Sequence, residues 1–491
     1  MVFSIRLPES DRSLLLILAI LYLVTRLPTI FYLPFVQDEA LYAVMIQEQI
    51  GNASLIPTFL SYPVSWKPPL FFWTYAAFTG PLLEVLPMEA AYRLPSLIFG
   101  LAAILPLYFL LRNAGASRNL AFFTILISLF ALPSLYPQAA LLIDSLLFLL
   151  ICSSLYLYTE RNLGAWRFIP AGAIVFAAFF AKLVVAFIIP ILAVAYLYLN
   201  DKKSLHNPLF ILSLLAAPAA FLLHFTILQS SGLEGDAYIS DVGGHLFGSD
   251  GIAVQVLGSL SMFLSGAGIW FALSIFGLWK HWRDNLFMAG WYCLIILPIM
   301  GGYFMPWYYL PVLPAISYFA AITLLKWDGK EKPDRFFFII MVMLLCLSAV
   351  LLAFIYSGIN SDFIAQKEAG LMLSGKENVL VVGNYAPGVL AYKMLSEKQD
   401  YGRSLDVAWI QAADNFTADM ASAYIHDYHT DAYPVSDGSF SGIFYRKDRS
   451  YRKDSNITMP EYVAIIGPYG SAHAVVDVLY NRSNIIIYKV D

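Results

Sequence analysis

The sequence predicts an α-helical polytopic membrane protein of about eleven spans, followed by a small C-terminal α/β domain. Three observations carry this. Apolar residues make up 59% of the chain and charged residues 13%, with a mean hydropathy of +0.67, far from the soluble average. The apolar residues gather into runs long enough to cross a bilayer as helices. Beyond about residue 357 that pattern stops, and short β-rich runs alternate with helical stretches.

The runs fall at about 14–33, 93–111, 119–137, 139–159, 168–182 and 183–199, then at 208–228, 256–279, 286–304, 306–325 and 336–356. The pair meeting at Lys182 is short, either two tilted helices or one broken one, so the count ranges from about nine to thirteen. Arg6 and Arg12 precede the first run without a small-residue cleavage site, which reads as a retained first span. Alternate connections carry Arg112 to Arg118, Arg161 to Arg167, Lys202-Lys203, Lys280 to Arg283, and Lys326 to Arg335. All lie on the side of Arg6 and Arg12, so that side is cytoplasmic. The residues after Tyr356 then lie outside, giving an integral multi-pass protein, of the plasma membrane in a prokaryote. Asn52, Asn415, Asn456 and Asn481 each open an N-x-S/T triplet on that outer side. Cys152, Cys293 and Cys346 all sit in apolar runs, so neither a disulfide framework nor a cysteine metal site is indicated.

The tail reads as strands at Val379–Val382, Val463–Ile466 and Ile485–Tyr488, with helices at Pro387–Ser396 and Ala472–Tyr480. Gly383 and Gly467 follow strands, but neither belongs to a G-x-G-x-x-G or Walker pattern. The expected organisation is a membrane domain over 1–356 and an extracytoplasmic α/β domain over 357–491. Residues 34–92 form the first outer loop, with interfacial helices.

Polar residues at the outer edge stand out against this background. Asp38-Glu39 opens an apolar run with Leu41, Val44, Met45 and Ile46 on a face suited to a helix lying in the interface. Asp38 also suits an N-cap, with Glu39 in the favourable first turn. Trp66-Lys67-Pro68-Pro69 fixes an extended approach and projects Lys67 just ahead of an aromatic helix. Snorkelling to headgroups is the plain alternative for Lys67, and Trp66 and Trp73 fit an interfacial belt. Arg93 lies at the mouth of the next span. Asp144 sits near the outer end of its span, where an unpaired carboxylate is costly and demands a cation. Lys182 occupies a matching edge, and structural ion pairing competes with a ligand role for both. Tyr308 and Tyr309, in Met305-Pro306-Trp307-Tyr308-Tyr309, serve a belt or hydrogen-bond a polar ligand. His224 reads as a structural histidine, and His245 with Asp241 and Asp250 matches no metal pattern.

Carboxylates and cations gathered at one lipid-accessible face suit an anionic, membrane-resident substrate such as a polyprenyl-phosphate sugar. Cations would stabilise the departing phosphate, and one carboxylate would activate the acceptor. No general acid is required, because phosphate leaves readily.

Asp38-Glu39, Lys67-Pro68-Pro69-Leu70, Arg93-Leu94-Pro95-Ser96, Ile143-Asp144 and Lys182 occur in this order. In that order they resemble the GT-C class of membrane glycosyltransferases. The nearest group is the superfamily of protein mannosyltransferases and lipid A aminoarabinose transferases, sometimes called PMT or glycosyltransferase 39-like. The match covers about residues 35–190, and the Trp307–Pro314 segment is similar too. The resemblance implies the GT-C fold and an inverting transfer, at the outer face, of a hexose or pentose from a dolichyl- or undecaprenyl-phosphate donor. It implies Asp38 as base with Glu39 beside it. It further implies Lys67, Arg93 and Lys182 on the donor phosphate, and Asp144, Tyr308 and Tyr309 in support. The family usually follows its intramembrane lysine with Gly-Pro, where this chain has Leu183-Val184. The chain also lacks a Trp-Trp-Asp-Tyr-Gly run, which argues against transfer of whole glycans.

The implied partners are the polyprenyl-phosphate-linked sugar, a lipid, glycan or protein acceptor, and membrane lipids, with no nucleic acid. No metal ligand set is assigned; a pair of acids is also able to hold a divalent metal. A transporter or flippase of lipid-linked glycans is the main competing function. Transporters often carry inverted repeats and paired broken helices near the midplane, and neither is evident. A receptor-like protein working through its outer domain would leave Asp144 and Lys182 without a purpose.

Overall fold

The computed structural model describes residues 10–36, 38–59, 62–64, 67–232, 252–294, 306–326, 363–374, 379–383, 387–397, 407–410, 462–466, 476–482 and 485–490. Two compact units emerge. One comprises Met1–Tyr32, Ser54–Pro57 and Pro63–Ala353. The other comprises Leu33–Ala53, Thr58–Tyr62 and Phe354–Asp491.

Two helices open the chain, α1 (Asp11–Tyr32) in the first unit and α2 (Asp38–Gly51) in the second. The first unit continues with α3 (Leu70–Leu82), α4 (Met88–Asn113), α5 (Arg118–Phe130), α6 (Leu132–Leu135) and α7 (Asp144–Thr159). Then come α8 (Phe168–Lys182), α9 (Ile188–Asn200), α10 (Pro208–Ser230), α11 (Ile252–His281), α12 (Leu286–Cys293) and α13 (Leu313–Lys326). Among the described residues four helices are long and apolar enough to cross a membrane: Asp11–Phe31, Met88–Asn113, Arg161–Lys182 and Pro208–Ser230. At a rise of about 1.5 Å per residue, the three that are α-helical throughout exceed the roughly 30 Å of a hydrocarbon core, while Arg161–Lys182 joins a 3₁₀ stretch kinked at Gly164 to the 15 residues of α8. Shorter apolar helices lie at Arg118–Phe130, Asp144–Thr159, Val185–Asn200 and Leu313–Lys326. The run expected at 336–356 lies outside the described residues, as does part of that at 286–304.

Local chemistry sets the ends. Ser117 caps α5 by accepting from the Leu120 amide at 3.2 Å, and Asn285 caps α12 by accepting from Met288 at 3.0 Å. Asn207 accepts from Leu209 at 2.9 Å, with Pro208 at the first position of α10, where its missing N–H is harmless. Helix α4 packs on α1 and α7, α8 on α7 and α10, and α13 on α5 and α11. Small residues permit the closest crossings. A methyl at Gly100 of α4 would meet the Tyr22 hydroxyl of α1, and one at Gly277 of α11 would meet the Phe319 carbonyl of α13.

The expected span at 119–137 is two helices, α5 and α6, parted at Ala131, which is extended. The expected span at 139–159 becomes helical only at Asp144. Pro133 and Pro137 account for the break, and irregular backbone among apolar helices needs internal partners. Buried Arg26 supplies them. Its guanidinium donates to the Leu129 carbonyl, to Ser134 Oγ and Gln138 Oε1 at 3.3 Å each, and to Thr25 Oγ1 at 2.6 Å. The Tyr22 hydroxyl donates to the Gln138 carbonyl at 3.1 Å. Arg26→Met leaves these acceptors unanswered. The variant should be less stable by about 2 kcal/mol, seen as an earlier thermal transition in detergent.

In the second unit, α14 (residues 363–372) and α15 (Pro387–Glu397) accompany a five-stranded sheet. Its strands are β1 (Val379–Gly383), β2 (Val407–Ile410), β3 (Tyr462–Ile466), β4 (Val476–Arg482) and β5 (Ile485–Val490), in the order β2-β1-β3-β5-β4. β1 pairs parallel with β2 and β3, while β5 pairs antiparallel with β3 and β4. The helix expected at Ala472–Tyr480 is not observed where the chain is described, because residues from Val476 onward form β4. Val476 and Val478 pair with Val490 and Tyr488 of β5, and past a bulge at Leu479 Tyr480 pairs with Ile487, so the β-branched and aromatic side chains gain cross-strand partners.

Helix α2 also departs from expectation. An in-plane helix would keep one wet face, yet every residue from Glu39 to Ile46 is buried, as are Glu48 and Gln49. Helix α15 packs against α2. Its buried acids are bonded: Glu39 accepts from the Val36 amide at 2.9 Å, and Glu48 accepts from the Thr58 hydroxyl.

Candidate functional site

Within the first unit the clearest polar constellation is Asp144, Lys182 and Tyr308. Asp144 is the first residue of α7, and Lys182 the last of α8. A carboxylate at a helix start and an ammonium at a helix end both oppose the local dipole, so each terminus favours its charge. Lys182 Nζ donates to Asp144 Oδ1 at 2.9 Å, with the side chains 20% and 6% exposed respectively. The same ammonium lies 4.4 Å from the centroid of the Tyr308 ring, on a short 3₁₀ turn spanning Pro306–Tyr309. Tyr309 is fully buried. The ammonium is thus aimed by a carboxylate and an aromatic face while part of its surface stays open.

The α8–α9 connection allows this. After Lys182 the chain enters a 3₁₀ turn at Val184–Phe187 before α9 begins at Ile188. The apolar stretch around Lys182 is therefore two helices joined by a tight break, with Leu183-Val184 making the turn.

Tyr75 and Ser145, which the motifs did not single out, hold the Asp144 turn together with Ser96 of the Arg93-Leu94-Pro95-Ser96 motif. The Tyr75 hydroxyl of α3 shares a hydrogen bond of 2.7 Å with Ser96 Oγ of α4 and donates to the Leu142 carbonyl at 3.4 Å. Ser145 Oγ donates to the Pro137 carbonyl at 2.9 Å. The only sequence signal for Tyr75 was its place in the aromatic run after Lys67-Pro68-Pro69.

The other expected residues are placed as follows. Lys67 is half-buried, with Pro68 and Pro69 buried behind it at the head of α3. Trp66 lies outside the described residues. Trp73 is tied to the protein, donating from Nε1 to the Ser54 carbonyl at 2.9 Å. Arg93 is buried in the second turn of α4, and its Nη1 donates to the Thr29 carbonyl of α1 at 3.2 Å. His224 is buried in α10, with its ring 6.1 Å from that of Phe180.

Asp38 and Glu39 belong to the second unit. Asp38 is the first residue of α2 and half-buried. The bond back to the preceding turn is made by Glu39, whose carboxylate takes the Val36 amide while its own amide donates to the Val36 carbonyl at 3.0 Å. This is the Glu half of a capping box. Among the described residues no three His, Cys, Asp or Glu side chains gather as a metal site would require.

No protein-family model matches the chain, and no curated protein sequence does. Solved structures do match. ArnT from Cupriavidus metallidurans, bound to undecaprenyl phosphate, superposes with a TM-score of 0.59 at 14% identity, over 98% of both chains. The chain has the GT-C fold. The oligosaccharyltransferase AglB from Archaeoglobus fulgidus, in complex with an inhibitory peptide and a dolichol-phosphate, gives a TM-score of 0.56 at 11% identity. That match covers 93% of this chain and 69% of AglB. At these identities the GT-C likeness is one of architecture, and it agrees with the fold expected from Asp38-Glu39, Lys67-Pro68-Pro69, Arg93, Asp144 and Lys182 in order. Within this GT-C fold the Asp144–Lys182–Tyr308 cluster is built from α7, α8 and the turn preceding α13.

Proposed function

We propose that the protein is an inverting glycosyltransferase that moves a sugar from a polyprenyl-phosphate donor to a hydroxyl acceptor at the outer face of a membrane. The observation that carries the reading is Lys182. It is a partly open ammonium, oriented by Asp144 and Tyr308, among apolar helices of a GT-C fold. An ionisable group in such surroundings marks a functional site by default. The undecaprenyl phosphate on ArnT and the dolichol-phosphate on AglB support this ligand class.

In this reading Lys182, Lys67 and Arg93 stabilise the charge that develops on the phosphate as the glycosidic bond breaks. Asp38 takes the proton of the attacking hydroxyl, with Glu39 beside it holding the start of α2. The phosphate leaves as a stable anion, so no acid need protonate it. Tyr308 and Tyr309 support the donor end. In this reading residues 1–356 carry the membrane spans and 357–491 an extracytoplasmic α/β domain, which Leu33–Ala53 joins in one compact unit.

The test is the purified protein in lipid nanodiscs with a radiolabelled polyprenyl-phosphate sugar and a panel of peptide, lipid and glycan acceptors. Label should appear on one acceptor class with its anomeric configuration inverted, in step with release of polyprenyl phosphate. If vesicle-reconstituted protein instead carries the intact donor across the bilayer with no transfer, the protein is a carrier and the enzymatic reading falls.

A further inference from the structure

The acidic helix α2 is separated by more than 300 residues from the C-terminal segments, yet Leu33–Ala53 and Phe354–Asp491 form one compact unit. We propose that Tyr392, on α15, is a positioning residue that holds the lead-in to α2 and so sets the aim of Asp38. This rests on the reading of Asp38 as the base.

The geometry is specific. Residues 33–36 run without helix or strand and are buried, so each N–H there needs a partner. The Phe35 amide donates to the Tyr392 hydroxyl at 2.8 Å. The two rings lie 5.4 Å apart at 31°, and both residues are buried. The next amide, at Val36, donates to Glu39 Oε2 at 2.9 Å. Two successive amides before Asp38 are thus held, one by the C-terminal part of the chain and one by the acidic pair itself. A local cap alone would fix the helix start relative to its own lead-in. The Tyr392 bond fixes the lead-in relative to the rest of the unit.

Tyr392 is itself held. Its ring lies 5.3 Å from Lys367 Nζ of α14. Helices α14 and α15 pack at glycine distance. A methyl on Gly370 would come within 2.7 Å of Tyr392 Cβ, and one on Gly388 would strike the Gln366 side chain. The order of support therefore runs from α14 to α15, through Tyr392 to Phe35, and on to α2. On this account the C-terminal part of the chain is part of the catalytic apparatus, through the placement of its base.

The experiment uses the full chain in nanodiscs and compares wild type, Tyr392→Phe and Asp38→Asn. Tyr392→Phe keeps the ring and removes only the acceptor. Its kcat should fall by about ten- to a hundredfold, the penalty of a base displaced by a fraction of an ångström to about one ångström. KM for the donor and the thermal transition in detergent should both stay near wild type, a combination that a general loss of structure would not give. Hydrogen exchange should quicken in peptides covering residues 33–41. Wild-type kcat in Tyr392→Phe, with Asp38→Asn inactive, overturns the positioning role and leaves the base reading intact. An active Asp38→Asn removes the base reading, and the inference with it. Should Tyr392→Phe fail to fold, wild-type exchange decides: coil-like rates at 33–36 refute the tether, and strong protection upholds it.

Discussion

Asp38→Asn should cut sugar transfer by orders of magnitude while donor binding survives. Asparagine keeps the shape and the position at the start of α2, but it has no carboxylate to accept a proton. General-base catalysis typically contributes about 10²–10⁴-fold, so kcat should fall by roughly 10³-fold. The donor phosphate is assigned to Lys67, Arg93 and Lys182, so binding of a labelled polyprenyl phosphate should stay near wild type. Glu39 does not substitute, because its carboxylate is buried and engaged with the Val36 amide. Wild-type turnover in the variant would remove Asp38 from the chemistry.

The second large effect is at the pair. Lys182→Met strands the Asp144 carboxylate, which is only 6% exposed, and an uncompensated buried charge costs about 3–5 kcal/mol. Thermal inactivation in detergent should move sharply earlier. Adding Asp144→Asn removes the stranded charge, so the double variant should regain most of that stability. Transfer should not return, because the phosphate has lost an ammonium. This separates the two meanings of an ion pair. A double variant that is stable and fully active would make the pair purely structural.

Much of this was legible in the residue order. A run such as 93–111 is apolar enough to call for a helix without knowledge of its neighbours, and α4 covers it. The cost of an intramembrane carboxylate demanded a cation for Asp144, and the matching edge position made Lys182 a candidate. Which cation answers was not legible. It depends on α7 and α8 packing side by side with Asp144 and Lys182 at the same end, and on the Tyr308 turn arriving from far along the chain.

Where the structure departs from the local pattern, partners distant in sequence take part. The 119–137 run is mostly apolar, yet it breaks at Ala131, where Pro133 and Pro137 interrupt the helix and Arg26 and Tyr22 on α1 satisfy the backbone that the break exposes. Val476–Tyr480 has helix-compatible residues, but the adjacent β5 offers an edge to pair with. Helix α2 carried an apolar stripe suited to a helix lying in the interface; hydrogen bonds to Val36 and Thr58 let Glu39 and Glu48 be buried as well.

By itself the sequence determined the apolar helical class, the order of motifs that mark the GT-C architecture, and the residue types able to perform phosphate-leaving chemistry. Those follow from transfer free energies and side-chain chemistry, which are properties of each segment alone. The tertiary structure decided which charges meet, what Arg26 is for, and that the acidic helix is fastened to residues near the other end of the chain. Those depend on hydrogen-bond partners and packing across long sequence separations, which no local pattern encodes.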